Sequence, residues 1–325
     1  MMTYLLRRLG YALLILLGVN LITLLLFFKV NTPDDMARQA LGGKRVTQTA
    51  IARWKQEKGY DLPLLFNAPA PGADKFTQTI FVQKSLPMFW GEFGASDDGR
   101  NIGREIRLRM GPSLALAVPV FVLGLLVHIV LAMTMAFFRG TAFDRGAVVF
   151  CVVAMSISGL FYIIGGQFLF AKTLSLVPVS GYAPGWAAVR FLLLPVLIGV
   201  VAGLGGGARW YRTIFLEEMS RDYVRTARAK GLSETAVLYR HVLRNALIPI
   251  LTGSVAVIPT LFMGSLIAES FFGIPGLGSY TLEAIQAQDF AIVRAMVFIG
   301  TALYIVGLIL TDFAYTAADP RIRLE

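Results

Sequence analysis

Residues 111–138 read GPSLALAVPVFVLGLLVHIVLAMTMAFF, with no lysine, arginine, aspartate or glutamate and one other ionisable side chain, His128. About 20 such residues cross the hydrocarbon of a bilayer as a helix, and roughly 17 suffice at the short end. The segment therefore predicts a membrane-crossing helix. Five more runs meet the same test: residues 9–28, 146–171, 191–208, 245–268 and 295–311, the fourth and sixth of the set narrowly. The expected fold is all-α, a polytopic membrane protein with six transmembrane helices. A composition of 56% hydrophobic and 15% charged residues agrees, and it excludes a pair of soluble domains. The formal charge of +10 raises nucleic acid as a partner, but the charges are confined to intervals between apolar runs, so no nucleic-acid partner is expected. The single cysteine, Cys151, lies inside an apolar run and reads as a small buried hydrophobe. It supports neither a disulfide framework nor a thiolate metal site, and no metal site is expected.

The first run follows Arg7 and Arg8. It is long for a secretory signal, and Phe27-Phe28-Lys29-Val30 offers no small-residue cleavage site, so it reads as an uncleaved span. With Arg7 and Arg8 in the cytosol, six spans also place Arg139, Arg145, the interval 209–244, Arg321 and Arg323 there. The opposite sidedness would leave only Lys172, Arg190 and Arg294 in the short cytosolic loops after spans three and five. Both termini are thus expected in the cytosol. The organisation that follows is span one with its cytosolic start (1–30), an extracytoplasmic subdomain (31–110), a core of five spans (111–316) carrying the cytosolic loop 209–244, and a cytosolic tail (317–325).

In the external interval, Asn31, Pro33, Asp34 and Asp35 precede a helix predicted over 46–58, and Pro63, Pro69 and Pro71 mark a turn region. Phe89-Trp90-Gly91-Glu92-Phe93-Gly94 reads either as interfacial anchoring or as a surface for a soluble partner. Residues 104–110 predict an amphipathic helix leading into span two. In the cytosolic interval, Asp222-Tyr223-Val224-Arg225-Thr226-Ala227-Arg228-Ala229-Lys230-Gly231 is basic and helix-favouring. Glu217, Arg221, Arg225 and Arg228 recur at helical spacing, Gly231 supplies a C-cap, and Ser233 with Glu234 starts a second helix. That helix carries Val237, Leu238, His241 and Val242 before Pro249 marks the start of span five. Two short helices joined at Leu232 form a knob; a basic loop attracted to anionic membrane lipid is the plainer reading.

Tyr223 to Leu232 resembles the cytosolic "EAA" loop of ATP-binding-cassette importer permeases, in the form found in the dipeptide and oligopeptide group. Only Ala227 and Gly231 match the generic Glu-Ala-Ala-x-x-x-Gly, and the following proline is displaced to Pro249. The resemblance covers essentially the whole chain. Tyr4-Leu5-Leu6-Arg7-Arg8-Leu9 is similar to the group's first span, and Gly59-Tyr60-Asp61-Leu62-Pro63-Leu64 to its Gly-x-Asp-x-Pro-Leu element. Trp90 to Ser96 resembles the element before span two. Glu269-Ser270-Phe271-Phe272-Gly273-Ile274-Pro275-Gly276-Leu277-Gly278 matches the external turn Glu-x-x-Phe-x-x-Pro-Gly-x-Gly, and Asp319-Pro320-Arg321-Ile322-Arg323 the end. Asn31-Thr32-Pro33-Asp34 departs from the usual Pro-Gly-Asp-Pro.

The resemblance implies a type I importer permease of a bacterial inner membrane, paired with a second, similar permease. Two ATPase subunits would bind below, using ATP and Mg, and a soluble solute-binding protein would deliver peptides from outside. The chain has no Gly-x-x-x-x-Gly-Lys-Ser/Thr loop, so ATP hydrolysis would fall to partner chains and no catalytic residue or bound cofactor is expected here. The coupling residues implied are Asp222, Tyr223, Arg225, Thr226, Ala227, Arg228, Ala229, Lys230, Gly231, Leu232 and Glu234. Ala227 and Ala229 would allow close approach, and Arg225, Arg228 and Lys230 would reach acidic groups. The external turn is carried by Phe272, Pro275, Gly276 and Gly278. Ser156, Ser158, Thr252, Ser254, Ser265 and Glu269 fit a translocation path, and the small residues among them equally fit helix packing. Glu269 also fits a cap on the turn. His128 reads as a packing histidine or a proton relay. Nickel chelates or glutathione are alternative cargoes. A proton-coupled secondary transporter would carry more midplane charge, and a membrane enzyme would need a nucleophile and base that the two distant histidines and one buried cysteine do not assemble.

Overall fold

The computed structural model describes residues 2–43 and 46–318. The Asp319–Arg323 motif, with the Arg321 and Arg323 used in the topology expectation, lies outside the described residues. The described chain is helical, and its one ladder contact is an isolated antiparallel bridge between Ala95 and Asn101.

The helices are α1 (Met2–Val30), α2 (Pro33–Ala40), α3 (Gln48–Lys58), α4 (Ile102–Phe137), α5 (Ala142–Ser156), α6 (Gly159–Gly166), α7 (Ala188–Met219), α8 (Asp222–Ala229), α9 (Glu234–Val255), α10 (Leu266–Phe272), α11 (Leu277–Ala287) and α12 (Phe290–Ala318). Contacts divide the chain into two units, one of residues 2–108 with 281–305 and the other of residues 109–280 with 306–318.

In the first unit, Asn31-Thr32-Pro33-Asp34 becomes a helix start. Thr32 Oγ1 accepts from the Asp35 N–H and the Asp35 carboxylate accepts from the Thr32 N–H, while Pro33 occupies a position where its missing donor has no cost. The predicted helix over 46–58 appears as α3, capped by Thr47 and ended by Gly59 in the left-handed conformation (φ 67°). Leu24 and Phe28 of α1 pack on Met36, Ala37, Ile51, Trp54 and Ile80, forming a buried core. Asn20, buried in an otherwise apolar helix, donates through Nδ2 to the Ser85 carbonyl at 3.0 Å. Residues 104–110 are the first turns of α4, without a break before the apolar run.

The expected six spans appear as four continuous helices and two bent pairs. Four continuous helices are long and apolar enough to cross a membrane: Leu6–Val30, Ile102–Phe137, Gly185–Met219 and Phe290–Ala314. The other two runs fold as bent pairs, Ala142–Ser156 with Gly159–Thr173 at 89° and Glu234–Val255 with Ile258–Phe272 at 43°, giving up to six spans if each pair counts as one. At the first break, Ile157 and Ser158 are extended (ψ 127° and 141°) between the weak helix formers Ser156 and Gly159. At the second, Pro259 supplies no N–H within a tight 3₁₀ segment, and Gly264 turns with φ 68°. The expected boundaries at Ala208 and Pro249 are not breaks: α7 continues to Met219, and α9 runs through Pro249. The second cytosolic helix is therefore the beginning of α9 itself.

Helix α7 owes its close packing to Gly199, Gly203 and Gly207, stacked one turn apart. A Cβ at Gly199 would lie 2.8 Å from Val120 Cγ1, and one at Gly207 would lie 2.2 Å from His128 Nδ1. His128 thus fills a glycine-lined slot, its Nε2 3.3 Å from the Val200 carbonyl. The geometry is that of helix packing through small residues. Gly207→Ala is expected to lower the thermal midpoint of the purified protein, by overpacking of about 1–3 kcal/mol. Gly206→Ala, whose Cβ meets nothing within 4 Å, should leave it unchanged. Equal midpoints for the two variants would refute this packing account.

Candidate functional site

Helix α8 begins at Asp222 and follows an extended Arg221. Its inner face is Val224 and Ala227, 0% and 4% exposed, packed in a core with Ile129, Met133, Phe215, Val237 and Ile250. Ala227 and Ala229 therefore lie on different faces. Ala227 is small to fit the chain's own core, and only Ala229 is on the open side.

The helix ends as its sequence predicts. The Leu232 N–H donates to the Ala227 carbonyl and the Gly231 N–H to the Arg228 carbonyl, with Gly231 at φ 77°. Ser233 Oγ then accepts from the Ala236 N–H at the start of α9. Across the corner, the Arg228 guanidinium grips Glu234 with two bonds of 2.8 and 3.1 Å. Tyr223 donates to Glu218 at 2.6 Å, and burial together with this bond pushes its pKa up to about 12. Thr226 Oγ1 returns to the Asp222 carbonyl, and Asp222 pairs with Arg225 at 3.4 Å. The exposed surface of the corner is Asp222, Arg225, Thr226, Arg228, Ala229, Lys230, Gly231, Leu232 and Glu234. This is a short helix held rigidly from below and basic above.

The Glu269–Gly278 turn is organised by one fully buried carboxylate. Glu269 Oε1 accepts from the Ser113 hydroxyl (2.8 Å) and the Ser265 N–H (3.1 Å), and Oε2 accepts from the Ser279 N–H (3.0 Å). Ser113 Oγ in turn accepts from the Leu277 N–H at 2.7 Å. The glycines are needed for close approach: a Cβ at Gly276 would sit 2.3 Å from Glu269 Oε2, and one at Gly278 would sit 2.6 Å from the Ser265 carbonyl oxygen. Phe272 is buried and Pro275 exposed.

The six path candidates separate. Ser156 and Ser158 are exposed, at the break between α5 and α6. Thr252 and Ser254 are buried, their hydroxyls donating to the carbonyls of Ile248 and Ile250 one turn back in α9. Ser265 caps α10 and, with Glu269, lines a cavity of about 360 Å³ that is otherwise mostly apolar. Among the described residues no group of three His, Cys, Asp or Glu side chains could hold a metal.

Sequence reading missed one strong feature of this unit. Arg212 of α7 forms a two-bond ion pair with Asp144 of α5, both bonds 2.8 Å, and Asp144 is 4% exposed. The Gly140 N–H completes the carboxylate's shell at 3.0 Å. The available signal was an acidic residue three places after Thr141, which caps the helix.

Residues 113–324 match the family described as "Binding-protein-dependent transport system inner membrane component", and residues 1–88 match its companion, "Binding-prot-dependent transport system membrane comp, N-term". A putative peptide transport system permease protein of Brucella abortus (strain 2308) is 32% identical over 333 residues, 100% of each chain. The di/tripeptide transport system permease protein DppB of Pseudomonas aeruginosa (strain UCBPP-PA14) is 30% identical over 99% of each chain. The dipeptide transport system permease protein DppB of Lactococcus lactis subsp. cremoris (strain MG1363) is 30% identical over 100% of each. With end-to-end matches, apolar helices in the described chain and both sequence families in register, the chain belongs to the binding-protein-dependent transport system inner membrane components.

Proposed function

We propose that this chain is the membrane-spanning permease subunit of an ATP-driven importer of short peptides, taking cargo from a solute-binding protein and coupled through α8 to ATPase subunits. The observation that carries the reading is the full-length similarity to peptide and dipeptide permeases. The proposed assembly has a second permease of the same kind and two ATPases that hydrolyse ATP with Mg²⁺. Both termini lie on the cytosolic side with α8. Import across the inner membrane is then a switch between inward- and outward-open states as ATPase closure moves α8.

The α8 corner suits that task mechanically. Val224 and Ala227 bind it to the core below, and the Arg228–Glu234 pair and Gly231 fix its far end. A push on α8 is thus transmitted to α7 and α9 instead of being absorbed in a soft loop. Arg225, Arg228 and Lys230 present cations to acidic groups of a partner. Ser265 and Glu269 line the apolar cavity, Glu269 through its role in holding the turn beside it.

The test is uptake of a labelled dipeptide into proteoliposomes holding the assembled transporter with internal and external ATP controlled. Uptake that needs ATP and the ATPases is expected, and uptake driven by a proton gradient without ATPases would overturn the reading. Arg225→Glu reverses an exposed charge and should lower ATP-dependent uptake about tenfold or more, about 1.4 kcal/mol, at unchanged membrane level. Unchanged uptake in that variant would remove α8 from the coupling path.

A further inference from the structure

The first unit holds a second cavity, of about 330 Å³, whose walls include Lys58, Tyr60, Lys84, Glu92, Asp97 and Arg294. Its floor is unusual. Arg294 is 4% exposed and no carboxylate among the described residues lies within ion-pair distance of it. Its Nη2 donates to Ser85 Oγ and, at 3.5 Å, to the Lys84 carbonyl, while its Nε is buried with no partner at all.

Two more cations face the same space. Lys58 is compensated: its ammonium lies 3.6 Å from Asp97 Oδ1 and within reach of the Ser96 and Asp97 carbonyls. Lys84 has no ion-pair partner among the described residues, and its ammonium end crowds Gly59, where a Cβ would fall 3.3 Å from Lys84 Cε. Burial first, then Lys58 and Arg294, lower the Lys84 pKa, so the three cations sense one another. The acids nearby are committed or peripheral. Asp97 serves Lys58, Asp289 accepts from the Asp97 and Ile292 N–H groups, and Glu57 pairs with Arg53 at 3.1 Å. Glu57, Asp97 and Glu92 are all exposed on the wall, and of the three only Glu92 has no ion pair among the described residues.

A buried guanidinium and a second cation, both lining one cavity and neither ion-paired among the described residues, make a receptor for a planar anion. We propose that this cavity binds the free C-terminal carboxylate of a short zwitterionic peptide, with Arg294 and Lys84 holding the carboxylate and Glu92 on the side of the ammonium end. The unpaired Glu92 favours a ligand that carries its own cation over an acidic side chain presented by a docked protein, which the wall acids would repel. The assignment concerns binding to this chain and leans on the import reading only for the choice of probe.

The experiment is thermal unfolding of the full-length protein, purified in detergent, against glycylglycine, glycylglycine amide, N-acetylaspartate amide and inorganic phosphate. Glycylglycine should raise the midpoint saturably and its amide should not. Lys84→Glu, at an exposed position, should weaken the glycylglycine effect at least tenfold with the unliganded midpoint retained, and Arg294→Lys should weaken it as well. Equal stabilisation by the amide, stabilisation by phosphate or N-acetylaspartate amide without glycylglycine, or no response of the parent protein to glycylglycine would each overturn the assignment. None of these readouts involves ATP or uptake, so a failure here and a failure of the import reading are separate results.

Discussion

Glu269→Ala should lower the stability of the protein by about 4 kcal/mol or more, seen as a fall of many degrees in the thermal midpoint in detergent. The variant leaves the Ser113 hydroxyl and the Ser265 and Ser279 N–H groups facing an empty, fully buried site. Each unsatisfied buried donor costs about 1–3 kcal/mol. Glu269→Gln should rescue only part of this, because a carboxamide offers one acceptor oxygen and turns an NH₂ toward N–H donors. Gly276→Ala should mimic the loss, its Cβ placed 2.3 Å from Glu269 Oε2. A Glu269→Ala protein with the parent midpoint but no dipeptide uptake would reverse the assignment, making the carboxylate a cargo-handling group instead of the turn's organiser.

The Arg212–Asp144 pair carries the second large expectation. Asp144→Ala strands a guanidinium whose side chain is 21% exposed, and loss of one member of a buried pair costs about 3–5 kcal/mol. Arg212→Lys should not restore the parent midpoint, since an ammonium cannot make the two parallel bonds seen here. Asp144→Leu combined with Arg212→Met should recover most of the loss, because both charges leave together. A double variant no better than Asp144→Ala would show that the Gly140 N–H bond to Asp144, and not the ion pair, holds this corner.

Local signals read well where the determining residues are neighbours in the chain. Gly231 and Ser233 mark the end of α8 and the start of α9, and Thr47 and Gly59 bound α3, because caps and left-handed glycines act over three or four residues. Hydrophobic runs identified the apolar segments but not their continuity. The break at Ile157 falls on Ser156, Ser158 and Gly159, which read as path or packing residues and not as a break, whereas Pro249, a more obvious breaker, sits inside an unbroken helix. Ala227 shows a second limit: small size near a basic surface looked like room for a partner, and burial assigns it to the core. Glu269 read as a cap on the turn, and its bonds to Ser265 and Ser279 are local, but its bond to Ser113, 156 positions away, could not be read from spacing. The same holds for the pairing of Asp144 with Arg212, 68 positions apart.

The 89° elbow between α5 and α6 bears on the surrounding solvent. Fifteen residues of α5 rise about 22 Å, short of the ~30 Å hydrocarbon, so a helix entering at one face would end before the other, among acyl tails that offer no donors. The Tyr162 hydroxyl folds back to satisfy the Ala154 carbonyl at 2.9 Å. The other carbonyls at the end of α5 require water or another protein surface against them. Where this corner lies within the hydrocarbon, acyl tails would be kept off those carbonyls.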